Sequence, residues 1–216
     1  MEELLRVSRV SKSFGDIRVI EEVSLVVRRG EIVVLFGPTG CGKTTLLRMM
    51  AGVEKPSSGE IAMNYRRVGF VFQDDRLVPW LSSLENVEMV CGDRERALEA
   101  LKRVNLHDYA HLFPCELSGG MRKKLGIARA LSVEPDLLLL DEPFSSLDFH
   151  VRWAVADVIR EHSKNSGVVL VTHDVEMAKR LGSRILILSR KPSKVIAEVE
   201  PQYLEKKLEE VIHFWF

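Results

Sequence analysis

Apolar and polar residues alternate through residues 4–27, a stretch rich in Val, Ile and Ser, with one expected turn at Phe14-Gly15-Asp16. Alternation of period two puts every second side chain on one face of a sheet, so this segment predicts two or three strands. The next run, Glu31-Ile32-Val33-Val34-Leu35-Phe36, is nearly unbroken in its apolar character and follows the turn Arg28-Arg29-Gly30. Such a run suits a strand buried on both faces of a sheet. Leu46-Leu47-Arg48-Met49-Met50-Ala51 reads as a helix, which Gly52 and Pro56-Ser57-Ser58-Gly59 stop. Short strands are expected at 60–63 and 67–72.

Beyond Gln73 the period changes. Ser82 followed by Glu85 three positions on is a helix-start pattern, and helical spacing then dominates through 93–104 and on to about 112. No convincing strand is legible between 73 and 137. Sheet character returns at Leu137-Leu138-Leu139-Leu140, followed by a helix at 149–164, a strand at 168–172, a helix at 174–181 and a strand at 184–189. The tail at 203–216 places Leu204, Leu208, Val211, Ile212 and Trp215 at helical spacing. Its last residues, His213-Phe214-Trp215-Phe216, either fold back on the core or touch a partner or membrane surface. Strands alternating with helices imply right-handed crossovers, hence an α/β fold with a mostly parallel sheet.

At 216 residues the chain suits one well-buried domain, and its 31 Lys plus Arg balance 31 Asp plus Glu. It therefore lacks the overall basic field that attracts nucleic acid. Cys41, Cys91 and Cys115 form no C-x-x-C pair, which fits a reducing compartment rather than a disulfide framework. The acidic N-terminus does not resemble a secretory signal, and no apolar run reaches the roughly 18 residues of a membrane span.

Chemistry concentrates where the buried strand at 31–36 meets its helix. Gly37-Pro38-Thr39-Gly40-Cys41-Gly42-Lys43-Thr44-Thr45 has the spacing G-x-x-x-x-G-K-T between strand and helix, the context that makes the pattern a phosphate-binding loop. Its glycines let backbone N–H groups converge on phosphate oxygens, and the helix start adds a positive dipole end. Lys43 is placed to reach the β and γ phosphates, and the Thr44 hydroxyl to take a position on Mg2+. The four leucines at 137–140 deliver Asp141 and Glu142 to the carboxyl edge of the sheet, where ligands of parallel sheets collect. Asp141 suits the metal, and Glu142 suits a general base polarising the attacking water.

A second anion-binding pattern, Leu117-Ser118-Gly119-Gly120-Met121, precedes the helical Arg122-Lys123-Lys124-Leu125-Gly126-Ile127-Ala128-Arg129-Ala130-Leu131. This stretch resembles the signature motif of ATP-binding-cassette (ABC) ATPases, and the order of the other motifs along the chain is similar to that family's. The resemblance implies a P-loop NTPase core with an N-terminal antiparallel β subdomain and an inserted α-helical subdomain: one nucleotide-binding domain over 1–216, with core 1–73 and 130–216 and helical part 74–129. It also implies that two copies pair head to tail, so that Ser118, Gly119 and Gly120 of one face the phosphate loop of the other.

Position by position, Phe14 matches the family's adenine-stacking aromatic, although a core phenylalanine remains an alternative. Gln73 matches the glutamine that contacts magnesium and the attacking water, and His173 the histidine that contacts the γ-phosphate. Ser145-Ser146-Leu147-Asp148 resembles the loop that crosses the pair, with Asp148 as its acidic residue. Two departures stand out: Met121 replaces the glutamine commonest at the end of the signature, and the short link after 60–63 points to a trimmed antiparallel portion.

Phe72-Gln73-Asp74-Asp75-Arg76-Leu77-Val78-Pro79-Trp80, with the signature, looks like the branch serving nitrate, sulfonate and taurine uptake. Leu77, Val78, Pro79 and Trp80 form either an apolar patch that receives a membrane subunit or plain packing inside the helical lobe. The resemblance implies a transport-coupled ATPase using ATP and Mg2+, peripheral on the cytoplasmic side of the inner membrane. Its expected partners are a permease and a solute-binding protein, with no nucleic acid. The rivals are a soluble ATPase of DNA repair or translation, which the single cassette and neutral charge disfavour, and a non-catalytic regulator, which would not need Glu142 or His173.

Overall fold

The structure, a computed structural model, describes residues 2–145 and 147–215, so Met1, Ser146 and Phe216 lie outside the described residues. The alternating N-terminal segment forms two long strands, β1 (Glu3–Phe14) and β2 (Ile17–Arg28), joined at the expected turn. They pair antiparallel, and β4 (Ser58–Met63) pairs with the other edge of β1. The antiparallel portion is therefore a three-stranded sheet, β2-β1-β4. Gly59 allows β4 to cross β1: its φ is +84°, and a Cβ there would lie 2.3 Å from the Arg9 carbonyl oxygen.

A second sheet holds β5 (Val68–Val71), β6 (Leu137–Asp141), β7 (Gly167–Thr172), β3 (Ile32–Phe36), β8 (Arg184–Leu188) and β9 (Val195–Val199), in that spatial order. All its pairs are parallel except β8 with β9. The link from β4 to β5 is short because it passes from one sheet to the other. The continuous apolar runs become the central strands β3, β6 and β7, buried along their whole length. Each such side chain contributes roughly 1.5–3 kcal/mol by leaving water, which explains why these runs tolerate no alternation.

Helices cover both faces. On one side α1 (Lys43–Met50) packs with β1 and β2 against Val33, Leu35, Leu137, Leu139 and Val169. The other side carries α5 (Phe149–Ser163), α6 (Val175–Leu181) and α7 (Leu204–Val211). The segment after β5 is helical, as its spacing predicts: α2 (Ser83–Cys91), α3 (Arg94–Arg103) and α4 (Gly119–Leu131) pack on one another. Ser82 caps α2, and Glu85 returns the bond to the Ser82 N–H at 2.7 Å.

The candidate apolar patch divides. Leu77 and Val78 are half-buried, with Leu77 packed on the core, while Pro79 and Trp80 are exposed. Asn86, fully buried, holds the segment by accepting from the Val78 N–H at 2.8 Å and donating to the carbonyls of Val78 and Leu81. The tail folds back: Trp215 stacks on Phe36 and donates its Nε1–H to the Leu188 carbonyl at 2.9 Å, while Phe214 stays exposed.

Candidate functional site

The carboxyl ends of β3, β5, β6 and β7 open on a cleft of about 380 Å³. Phe14 and Val19 line it from the antiparallel sheet; Thr39, Gly40, Gly42, Lys43, Thr44 and Thr45 from the phosphate loop and α1; Gln73, Asp141, Glu142, Ser145, Val171 and His173 from the strand ends. Residues far apart in sequence thus converge as their motifs predict.

The loop between β3 and α1 owes its path to its glycines. Gly42 has φ +118°, and a Cβ there would lie 2.9 Å from the Val19 side chain. Lys43 curls over the loop, donating from Nζ to the carbonyls of Gly37 at 2.7 Å and Pro38 at 2.8 Å. Pro38 and Cys41 do not line the cleft. With Thr39 and Gly40 they border a neighbouring hollow that also meets Arg190, Lys191 and Trp215.

Asp141 ends β6 with its side chain buried, and burial pushes its carboxyl up from the ordinary range. A hydrogen bond from Thr44 and the charge of Lys43 oppose that rise, while Glu142 adds to it. Glu142 itself stands in left-handed backbone, φ +50°, a conformation costing a non-glycine residue roughly 1–2 kcal/mol. Its N–H donates to the Val171 carbonyl at 3.0 Å, adding one more bond between the ends of β6 and β7. Its carboxylate Oε1 lies 2.9 Å from His173 Nδ1. The carboxylate is mostly covered, whereas the imidazole is open to solvent.

Phe14 is half exposed, with Lys12 Nζ 4.9 Å from its ring centre. That placement matches an open aromatic platform, not the alternative of a core phenylalanine. Ser118 caps α4, its Oγ accepting from the Met121 N–H at 3.2 Å, but neither it nor Gly119 or Gly120 lines the cleft of its own chain. Asp148 sits exposed at the start of α5 without bonding the helix N–H groups. Ser146 of the same loop lies outside the described residues.

Three contributors were not singled out by sequence. Lys123, buried on α4, donates to the Gln73 carbonyl at 2.7 Å, and Arg129 on the same helix donates to the carbonyls of Asp75 and Arg76. Lys191, in the loop between β8 and β9, lines the cleft; that loop is held against β2 by the bonds Glu21 N–H to Ser193 carbonyl and Ser193 N–H to Val19 carbonyl, both 2.9 Å. In the sequence these cations look like any solvated charges, and no pattern marks them.

A sheet edge that presents a phosphate loop, a buried aspartate and a glutamate beside a histidine defines a P-loop nucleotide-hydrolysing domain. The family model described as ABC transporter matches residues 20–145. The chain belongs to the ABC transporter family, as its ATPase domain. It is 40% identical over 209 residues to the aliphatic sulfonates import ATP-binding protein SsuB 2 of Burkholderia cenocepacia, covering 91% of this chain and 77% of that protein. It is 39% identical to the taurine import ATP-binding protein TauB of Yersinia pestis, covering 95% of this chain and 88% of that one. Among solved structures, the dimeric ATP-binding cassette MJ0796 bound to ADP and Pi superposes with a TM-score of 0.83 at 31% identity, covering 92% of this chain and 99% of that one.

Proposed function

We propose that this chain is the ATP-hydrolysing subunit of a membrane importer and works as a head-to-tail homodimer. In that pair Ser118, Gly119 and Gly120 of one copy complete the cleft of the other, and Asp148 lies at the crossing. The observation carrying this reading is that Lys43, Asp141, Glu142 and His173 share one cleft while the second anion-binding motif of the same chain lies outside it. The related cassette solved as a dimer supports the pairing.

Phe14 stacks on adenine, and the amides of residues 37–45 with Lys43 hold the phosphates. Glu142 takes a proton from the attacking water, its carboxylate oriented by His173. His173 also meets the γ-phosphate, and Gln73 aligns the water. The donor set fits a hard cation: Thr44, Asp141 and Gln73 offer oxygens, and a site with one carboxylate plus substrate phosphates suits Mg2+. When bound, the ion would offset negative charge on the triphosphate.

The partners in this reading are two permease subunits and a solute-binding protein, with the chain peripheral on the cytoplasmic face. Consistent with a peripheral role, no helix among the described residues is long and apolar enough to cross a membrane. The names of its relatives point to a sulfonate as solute. Steady ATPase assays of wild type and Glu142→Gln test the core of the proposal. Turnover should fall by about 10²–10⁴-fold while ATP affinity holds, and the ATP-loaded variant should run as a dimer with its permease. Near-native turnover in the variant would place the base elsewhere.

A further inference from the structure

We infer that Arg152 is a positioning residue for hydrolysis, locking the backbone at Leu147 to the segment that carries His173. The inference rests on the roles proposed for Glu142 and His173. Arg152 lies in the first turn of α5 and reaches in two directions: Nε donates to the Leu147 carbonyl at 3.0 Å, and Nη1 donates to Asp174 Oδ2 at 2.9 Å. A guanidinium is planar, so satisfying both acceptors fixes their relative placement.

Each acceptor is itself anchored. Asp174 caps α6, Oδ1 accepting from the Met177 N–H at 3.0 Å, and its own N–H donates to Thr172 Oγ1 at 3.0 Å. Leu147 donates its N–H to the Phe144 carbonyl at 3.3 Å, and Ser145 binds the Glu142 carbonyl through its N–H at 3.2 Å and its hydroxyl at 2.9 Å. Since His173 Nδ1 meets Glu142 Oε1 at 2.9 Å, the contacts close a ring: Glu142, His173, Asp174, Arg152, Leu147 and back to Glu142. One side chain thereby ties the loop proposed to cross the dimer to the pair proposed to act on water. Any shift of the loop by the opposite copy is passed through Arg152 to His173.

The ion pair is half-exposed, with Arg152 36% and Asp174 21% accessible, so it adds little to folding stability. Its effect is geometric and should appear in kcat alone. The test compares wild type, Arg152→Ala, Arg152→Lys, Asp174→Asn and the double variant Arg152→Ala/Asp174→Asn in the assembled transporter, reading kcat, KM for ATP, nucleotide affinity and Tm. Arg152→Ala should lower kcat about 10- to 100-fold, as small misplacements of reacting groups do, with KM and affinity within about twofold and Tm nearly unchanged. Arg152→Lys, which reaches one acceptor at a time, should fall between, and the double variant should be no slower than the slower single one. Unchanged kcat in folded Arg152→Ala, or a loss that follows the amount of folded protein, would overturn the inference. Failure of the underlying reading looks different: Glu142→Gln would then stay active, whatever Arg152→Ala does.

Discussion

Acidification should destabilise this protein through one largely covered ring. His162 sits on α5 with one nitrogen bonded to the Pro135 backbone and Nε2 buried without a partner among the described residues. Burial and the nearby charge of Arg103 push its pKa down from 6.5 to about 4, against the pull of the Pro135 bond and Glu134. A histidine whose folded pKa is depressed stabilises the fold while it is neutral in both states, above its unfolded value. As pH falls below about 6.5 the unfolded chain gains a proton that the folded chain refuses, and the loss is complete once pH has passed below about 4. At 1.36 kcal/mol per pKa unit the gap amounts to about 3 kcal/mol, most of it lost by about pH 4.5. Urea unfolding of wild type and His162→Phe at neutral pH and at about pH 4.5 isolates this contribution, because the carboxylates and the remaining histidines titrate in both proteins. Wild type should lose about 2–3 kcal/mol more than the variant over that interval. Parallel losses, or an NMR titration of the His162 ring with its midpoint near 6.5, would refute the reasoning.

Two further outcomes follow from the geometry. Phe14→Ala removes the exposed ring of the cleft, so KM for ATP should rise about 2- to 12-fold, from the roughly 0.5–1.5 kcal/mol of an aromatic stack, while kcat holds; an unchanged KM would remove Phe14 from the site. Gly59→Ala sets a methyl against the Arg9 carbonyl in a left-handed backbone, and a loss of more than about 2 kcal/mol in denaturant unfolding is expected.

Much of the core was legible because burial on both faces leaves a simple mark: the runs at 32–36 and 137–140 could serve as little else. The turn at Gly15 and the capped start of α2 were legible for similar local reasons. β9 was not, since Val195–Val199 is a partly exposed edge strand between Pro192 and Pro201 whose ladder comes entirely from β8. Nor was the left-handed backbone at Arg9 and Glu22, inside β1 and β2, where no glycine or asparagine signals the conformation. Within the site, the phosphate loop and Asp141-Glu142 carry their chemistry in local spacing. Ser118 was legible as a helix-start anion pattern, Gln73 and His173 were found only through a family resemblance, and Lys123, Arg152 and Lys191 not at all. A cation on a helix face looks the same in sequence whether it meets solvent or a carbonyl across the fold.

Trp215, resting on Phe36 and bordering the hollow behind Thr39 and Gly40, gives the molecule a built-in optical reporter. Its emission should respond when the loop closes on a triphosphate, so that nucleotide arrival can be timed by stopped flow without attaching a dye.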